Sequence, residues 1–213
     1  MNKKIIRYIL SKILYIEAGF LLLPIIVSLI YKEDISNILS FLATIILLLL
    51  SGYVIGYKAD GSGAFYEKEG FVIVALSWIL LSAFGSLPFI FSGSIPSFID
   101  AFFETSSGFT TTGASILTDV EALSHSILFW RSFTHLIGGM GILVFALAIL
   151  PRSNRHSHIM KAEVPGPVFG KVVSKLKNTA QILYIIYLAL FAIFTLLYFL
   201  AGMPLFDSFI IAM

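Results

Sequence analysis

Five long apolar runs divide this chain of 213 residues, and they constrain its fold more than any other feature. They lie at residues 12–31, 36–56, 71–91, 126–150 and 179–202. A helix needs about 20 apolar residues to cross the hydrocarbon core of a bilayer. The runs therefore predict an all-α integral membrane protein with five transmembrane helices. Membrane lipids are expected to surround these helices.

The composition agrees with a lipid environment. Hydrophobic residues make up 58% of the chain and charged residues 12%, whereas about 25% of the residues in soluble domains are charged. A soluble core could not hide this much apolar surface from water. The chain has no cysteine, which excludes disulfides, thiolate metal sites and cysteine nucleophiles.

The basic residues predict the orientation of the spans. Of the 14 lysines and arginines, four lie at or before the start of the first run, two between the second and third, and six between the fourth and fifth. Cytoplasmic loops carry the excess of lysine and arginine. The N-terminus is therefore expected to be cytoplasmic, and the fifth span is expected to end outside.

The segment between the third and fourth runs, 92–125, is too apolar for a solvated loop. Residues 97–107 have a helical pattern, with Pro96 suited to the first turn, but they are too few to cross the bilayer. Irregular backbone at membrane depth persists only where protein or a water cavity surrounds it. The segment is thus predicted to be a re-entrant pore loop, in the order span, pore helix, strand, span (M1–P–M2).

The strand after this helix has the chemistry of a cation filter. Such a filter aims several backbone carbonyls at one axis, which requires unusual backbone angles. Gly113 tolerates a positive φ, and Thr110, Thr111 and Thr112 offer hydroxyls as ligands or as anchors. The helix C-terminus would add partial negative charge near the cation. The alternative is an ordinary loop rich in serine, threonine and glycine.

A short internal repeat follows the fifth run. Residues 98–103 align with 205–210 at an offset of 107, and each copy has a proline just upstream. The second copy predicts the start of another pore helix in an incomplete second repeat. Four regions result: the N-terminal two-span extension and cytoplasmic loop 1–70, the first pore repeat 71–151, the basic cytoplasmic loop 152–178, and the partial second repeat 179–213.

The motifs FFETSSGFTTTGASIL (102–117) and SILFWRSFTHLIGGMGILVFALAILP (126–151) resemble the Trk/Ktr/HKT potassium-transporter superfamily. The two preceding spans resemble the extra N-terminal pair of its TrkH branch. The resemblance implies four M1–P–M2 repeats in one polypeptide, a homodimer, and a cytosolic nucleotide-binding regulatory subunit. It places the filter at 110–114 and implies a multi-pass protein of a bacterial or archaeal cytoplasmic membrane. This chain holds one complete repeat, so it is expected to be a truncated form.

Charged residues near the filter leave several roles open. Arg131 lies within the fourth run and could pair with Glu104 or Asp119, set the potential near the filter, or reach the interface. Glu104 and Asp100 lie one turn apart on the pore helix and could concentrate cations, cap the helix, or be solvated. The basic residues of 152–177 suit anionic lipid or a docked regulator.

Other motifs predict no further chemistry. Gly138, Gly139 and Gly141 lie inside an apolar run without a preceding strand, which favours close helix packing or a kink over a dinucleotide loop. The four histidines lack metal-ligand spacing. The sequence predicts no cofactor and no nucleic-acid partner, with potassium only as the transported ion.

The sequence leaves three candidate functions. The first is potassium transport by selective permeation. The second is an integral-membrane enzyme, but the spans offer only Glu17, Arg131 and His135, which make no pair of acids, Ser/His dyad or metal-ligand set. The third is a non-conducting structural or regulatory fragment of a transporter. Transport without enzymatic activity is the prediction.

Overall fold

The computed structural model describes residues 2–62, 67–141 and 168–213. These residues form helices without any strand. The helices are α1 (Lys3–Phe20), α2 (Leu22–Ile30), α3 (Ile35–Gly56), α4 (Glu67–Gly85), α5 (Leu87–Phe91), α6 (Phe98–Phe109), α7 (His125–Met140), α8 (Val168–Leu200) and α9 (Leu205–Ala212). The all-helical prediction is confirmed for this part of the chain.

Four stretches in the described ranges are long and apolar enough to cross a membrane. They are Lys3–Ile30, Ile35–Gly56, Lys68–Phe91 and Gln181–Leu200. The fourth predicted span, 126–150, is only partly covered, because α7 ends at Met140 and residues 142–150 lie outside the described residues. Most of the predicted basic loop also lies outside them, but α8 begins at Val168, so the end of that loop is helical.

Two prolines explain why the first and third spans are each built from two helices. Proline lacks an N–H, and its ring clashes with the carbonyl four residues earlier. Pro24 thus disturbs the turn at Phe20, where α1 ends, and Pro88 disturbs the turn at Phe84, just before α4 ends. The first span also begins earlier than predicted, at Lys3, because the side chain of Asn2 caps α1.

The N-terminal extension is closely packed. An added Cβ on Gly52 would lie 2.7 Å from the Tyr15 ring, so α1 and α3 approach closely there. Arg7 on α1 reaches the C-terminus of α3, where its Nε donates to Ile55 O at 2.8 Å and its Nη2 to Tyr57 O at 3.1 Å. A cation at this position offsets the partial negative charge of the helix end.

The core lies between the N-terminal extension and the pore repeat. Its largest fully buried side chains come from α3, α5, α6 and α7: Phe41, Phe89, Phe109 and Trp130. In contrast, no residue of the most apolar stretch of α8, within Gln181–Leu200, is buried. Among the described residues, α8 contacts α9 and the end of α7. In the part of the chain that the structure describes, the pore repeat therefore packs mainly against the N-terminal extension.

Candidate cation-selectivity site

Helix α6 is the predicted pore helix, and its ends are well defined. The hydroxyl of Ser97 caps it by accepting from Asp100 N at 3.4 Å, so Pro96 precedes the cap instead of joining the first turn. The helix runs to Phe109, two residues beyond the predicted end. Its 12 residues measure about 18 Å at ~1.5 Å per residue. A helix of this length is too short to cross the hydrocarbon core.

The end of the pore helix sets the backbone of the predicted filter. Thr111 N donates to Gly108 O at 3.0 Å, and Thr112 N donates to Ser107 O at 2.9 Å. This pair of bonds is a Schellman motif, which requires a left-handed residue between them. Thr111 takes that position with φ of 54°, where glycine or asparagine is usual. The filter segment therefore begins with a strained, β-branched residue.

Gly113 is the second left-handed residue of the segment, with φ of 75°. The sequence predicted this angle at Gly113 and missed Thr111. The signal for Thr111 was only a general one: helices very commonly end with a left-handed residue just after the C-cap, but the pattern did not locate that end to the residue. Two positive φ values therefore occur within three residues of this segment.

The threonine hydroxyls of the segment bond within the segment and to the pore helix. Thr110 Oγ1 donates to Ser106 O at 2.7 Å and lies 2.7 Å from Thr112 Oγ1. Thr111 Oγ1 donates to the carbonyl of Thr110 at 2.7 Å. Residues 110–116 are all exposed in this chain. In this structure the hydroxyl of Thr110 is thus bonded to the last turn of the pore helix.

Glu104 and Arg131 form a buried ion pair beside the filter segment. Arg131 Nε lies 2.6 Å from Glu104 Oε1, and the two side chains are 16% and 1% exposed. The carboxylate also accepts from Ser115 Oγ at 2.9 Å and from Ile116 N at 3.0 Å. The pore helix, the end of the filter segment and α7 thus meet at one carboxylate.

The structure shows which contacts these charged residues make. Arg131 pairs with Glu104, while Asp119 accepts from its own neighbour Glu121 N at 3.0 Å. Glu104 is buried and neither capping nor solvated, whereas Asp100 is exposed on the same helix. Spacing in the sequence could not distinguish these partners, because the distance between helices is set by packing.

Helix α7 contacts the pore helix directly. Trp130 Nε1 donates to Gly85 O at 2.8 Å, and the rings of Trp130 and Phe109 meet edge to face. A Cβ on Gly138 would collide with the carbonyl oxygen of Phe109. The prediction of close helix packing at this glycine is confirmed. Gly141, with φ of 69°, follows the last residue of α7.

The structure describes two of the four histidines, both on α7. His135 Nδ1 lies 3.2 Å from Arg131 O within α7, and His156 and His158 lie outside the described residues. In the described part, no three His, Cys, Asp or Glu residues are grouped to hold a metal.

Helix α9 begins at Leu205, at the offset of 107 from Phe98, where the repeat predicted a second pore helix.

Comparison with known proteins identifies the family. The sequence matches the TrkH family, described as cation transport protein, over residues 37–213. The chain belongs to the TrkH family. It is therefore a member of a family of transport proteins and not of enzymes, and its apolar helices fit a multi-pass membrane protein.

Several curated relatives cover nearly the whole chain. The Trk system potassium uptake protein TrkH of Salmonella typhimurium is 38% identical over 212 residues, which is 98% of this chain and 44% of that protein. The potassium uptake protein TrkG of Escherichia coli is 33% identical, over 96% of this chain and 43% of its own length. An uncharacterized cation transporter of Methanocaldococcus jannaschii is 32% identical over 95% of this chain.

A solved structure shows the same fold. The crystal structure of the potassium transporter TrkH from Vibrio parahaemolyticus superposes with a TM-score of 0.79 at 32% identity. The match covers 100% of this chain and 42% of that one. The chain thus spans less than half the length of the TrkH-family relatives that it matches.

Proposed function

We propose that this chain forms the first pore repeat of a potassium uptake transporter, with a filter at Thr110, Thr111, Thr112 and Gly113. The observation that carries the proposal is the pore helix that ends directly in two left-handed filter residues. A potassium ion would exchange its hydration shell for backbone carbonyls of this segment. The C-terminus of α6 would favour the cation through its partial negative charge.

The membrane arrangement is part of the same proposal. Five spans and one re-entrant loop would place the filter near the outer surface, with the N-terminus in the cytoplasm of a bacterial or archaeal cell. A potassium filter uses about four such strands around one axis, and this chain supplies one. By family resemblance, the remaining filter strands would come from further repeats of the same polypeptide. The same resemblance implies a homodimer and a cytosolic nucleotide-binding regulatory subunit as a partner.

The isolated chain is expected to insert into membranes without conducting potassium selectively, because a single strand cannot replace the hydration shell of the ion. The measurement is potassium flux into liposomes that contain the purified chain. The positive control is a fusion in which residues 1–213 replace the matching part of the Vibrio parahaemolyticus transporter. We expect selective flux only in the fusion.

Each outcome of the flux experiment is informative. A fusion that folds but passes sodium and potassium equally would contradict the proposed filter. Selective flux through the isolated chain would instead favour self-association of four copies around one pore. If neither the isolated chain nor the fusion conducts potassium, the result would favour a non-conducting structural or regulatory role for this chain.

Cysteine labelling tests the orientation, since the chain has no cysteine of its own. Ser36→Cys at the start of α3 should react with an impermeant maleimide added outside the cell. Ser62→Cys, after α3, and Ser157→Cys, in the basic segment outside the described residues, should react only after the membrane is opened. The unmodified chain is the control for background labelling. Equal labelling of all three from outside would refute the five-span arrangement.

A further inference from the structure

The turn between α2 and α3 holds a carboxylate against the start of α7. Lys32, with φ of 52°, closes α2 in a Schellman motif, where Glu33 N donates to Ser28 O at 3.0 Å. This turn directs the Glu33 side chain inward, and the side chain is only 8% exposed. The strained backbone at Lys32 therefore sets the direction of the Glu33 side chain.

Glu33 supplies the cap that α7 lacks. Ser126 N donates to Glu33 Oε1 at 3.0 Å, and the Ser126 hydroxyl donates to Oε2. Ser124, the N-cap residue of α7, makes no side-chain cap bond, and its Oγ is buried without a partner among the described residues. A carboxylate at a helix N-terminus satisfies free N–H groups and stabilises the helix dipole.

The same contact extends to the second pore helix. His125 stacks on Tyr31 with the ring centroids 4.0 Å apart, and its Nδ1 lies 3.8 Å from Glu33 Oε1. The Phe206 ring of α9 lies 4.9 Å from His125 and 5.1 Å from Tyr31. The α2–α3 turn therefore contacts the first repeat and the beginning of the second.

The charge on Glu33 is maintained at neutral pH. Burial alone would raise the pKa of this carboxyl, but hydrogen bonds from Ser126 and Asn37 outweigh it and hold the pKa below its usual value. Because the folded pKa is lowered, the contribution to stability is complete above the ordinary carboxyl pKa. It is lost as the pH falls through the lowered pKa.

Helix α7 connects this carboxylate to the filter. Ser126 and Arg131 lie about 7.5 Å apart along the helix axis, at ~1.5 Å per residue. Arg131 holds Glu104, and Glu104 holds Ser115 and Ile116 at the end of the filter segment. A shift of α7 at its start would therefore reach the filter segment through this salt bridge and through the direct packing of α7 on the pore helix.

We propose that Glu33 is a positioning residue for the filter, and that the N-terminal two-span extension acts on ion selection by tethering α7 through this carboxylate. The extension then has a function in permeation beyond insertion into the membrane. Its effect on selectivity rests on the proposed transport function, whereas the tether itself exists in the isolated chain and can be measured there.

Three variants separate the tether from simple helix capping. Glu33→Gln removes the charge and one acceptor oxygen. Asn37→Ala is the matched control, because it removes the 3.1 Å bond from Asn37 to the same carboxylate and leaves both bonds from Ser126 of α7. Ser124→Asp in the Glu33→Gln background gives α7 a cap of its own but does not restore the link to the α2–α3 turn.

The tether is measured first in the purified 213-residue chain in lipid nanodiscs. Spin labels at Ser36→Cys and Ala122→Cys, both exposed positions, report the distance between the start of α3 and the loop before α7. We expect a narrow distribution with Glu33 or with Asn37→Ala, and a broad one with Glu33→Gln, with or without Ser124→Asp. An unchanged distribution in Glu33→Gln would overturn the tether, whatever the transport activity.

Selectivity is measured next in the Vibrio fusion described above. Glu33→Gln is expected to raise the ratio of sodium to potassium flux by roughly fivefold, since hydrogen bonds to charged groups are stronger than neutral ones. Asn37→Ala should leave the ratio unchanged. The ratio should stay raised when Ser124→Asp is added. A restored ratio would show that Glu33 acts by capping alone and would overturn the positioning role. An unselective parent fusion would instead count against the proposed function.

Discussion

Glu104→Gln is expected to destabilise the chain by about 3 kcal/mol, because it leaves the Arg131 guanidinium without its counter-charge in a largely buried site. Glutamine has nearly the same shape, so loss of packing contributes little. The measurement is thermal unfolding of the purified chain in nanodiscs. In the fusion with the Vibrio parahaemolyticus transporter the same change should raise the ratio of sodium to potassium flux, since Ser115 and Ile116 lose part of their anchor.

Two further variants define the origin of that effect. Asp100→Asn is the matched control, because Asp100 is an exposed carboxylate one turn earlier on the same helix. It should change neither stability nor selectivity. Replacing both Glu104 and Arg131 with leucine should cost less stability than replacing either residue alone with leucine, because no buried charge remains unpaired. A double variant as unstable as the sum of the singles would contradict the ion-pair interpretation.

Gly113→Ser is expected to raise the ratio of sodium to potassium flux by about tenfold in the fusion, equal to ~1.4 kcal/mol of lost discrimination. Gly113 has φ of 75°, which costs a residue with a Cβ about 1–2 kcal/mol. Serine can avoid that cost by turning the backbone, and the neighbouring carbonyls would then leave the filter axis. Folding should be affected little, since a Cβ at this position meets no atom within 4 Å in this chain.

Gly93 provides a matched control for this prediction. It has the same φ of 75° and the same open surroundings, but it lies before the pore helix. Gly93→Ser therefore introduces the same backbone strain outside the filter, and the flux ratio should not change. If both variants changed the ratio equally, backbone strain in general would be the cause and the filter assignment would be wrong.

Several features follow from the sequence alone because they depend on local chemistry. Apolar length predicts a membrane helix without knowledge of its neighbours, and in the described ranges four of the five predicted spans correspond to helical stretches long and apolar enough to cross a membrane. The pore helix follows from its short apolar pattern, and α9 follows from the repeat at 205–210. The positive φ of Gly113 was predictable because only glycine adopts it at little cost.

Other features depend on the distances between helices, which the sequence does not state. Arg131 had several possible partners, and only the packing of α7 on the pore helix selects Glu104. Thr111 is left-handed because the helix ends at Phe109, and a pattern defines such an end only to within a few residues. Glu33 and Ser126 are 93 residues apart, so no local pattern connects them. The sequence determined which segments are long and apolar enough to cross a membrane, and it predicted where the filter lies. The tertiary structure decided which charges pair beside that segment, because a buried charge is stable only where a partner lies within reach.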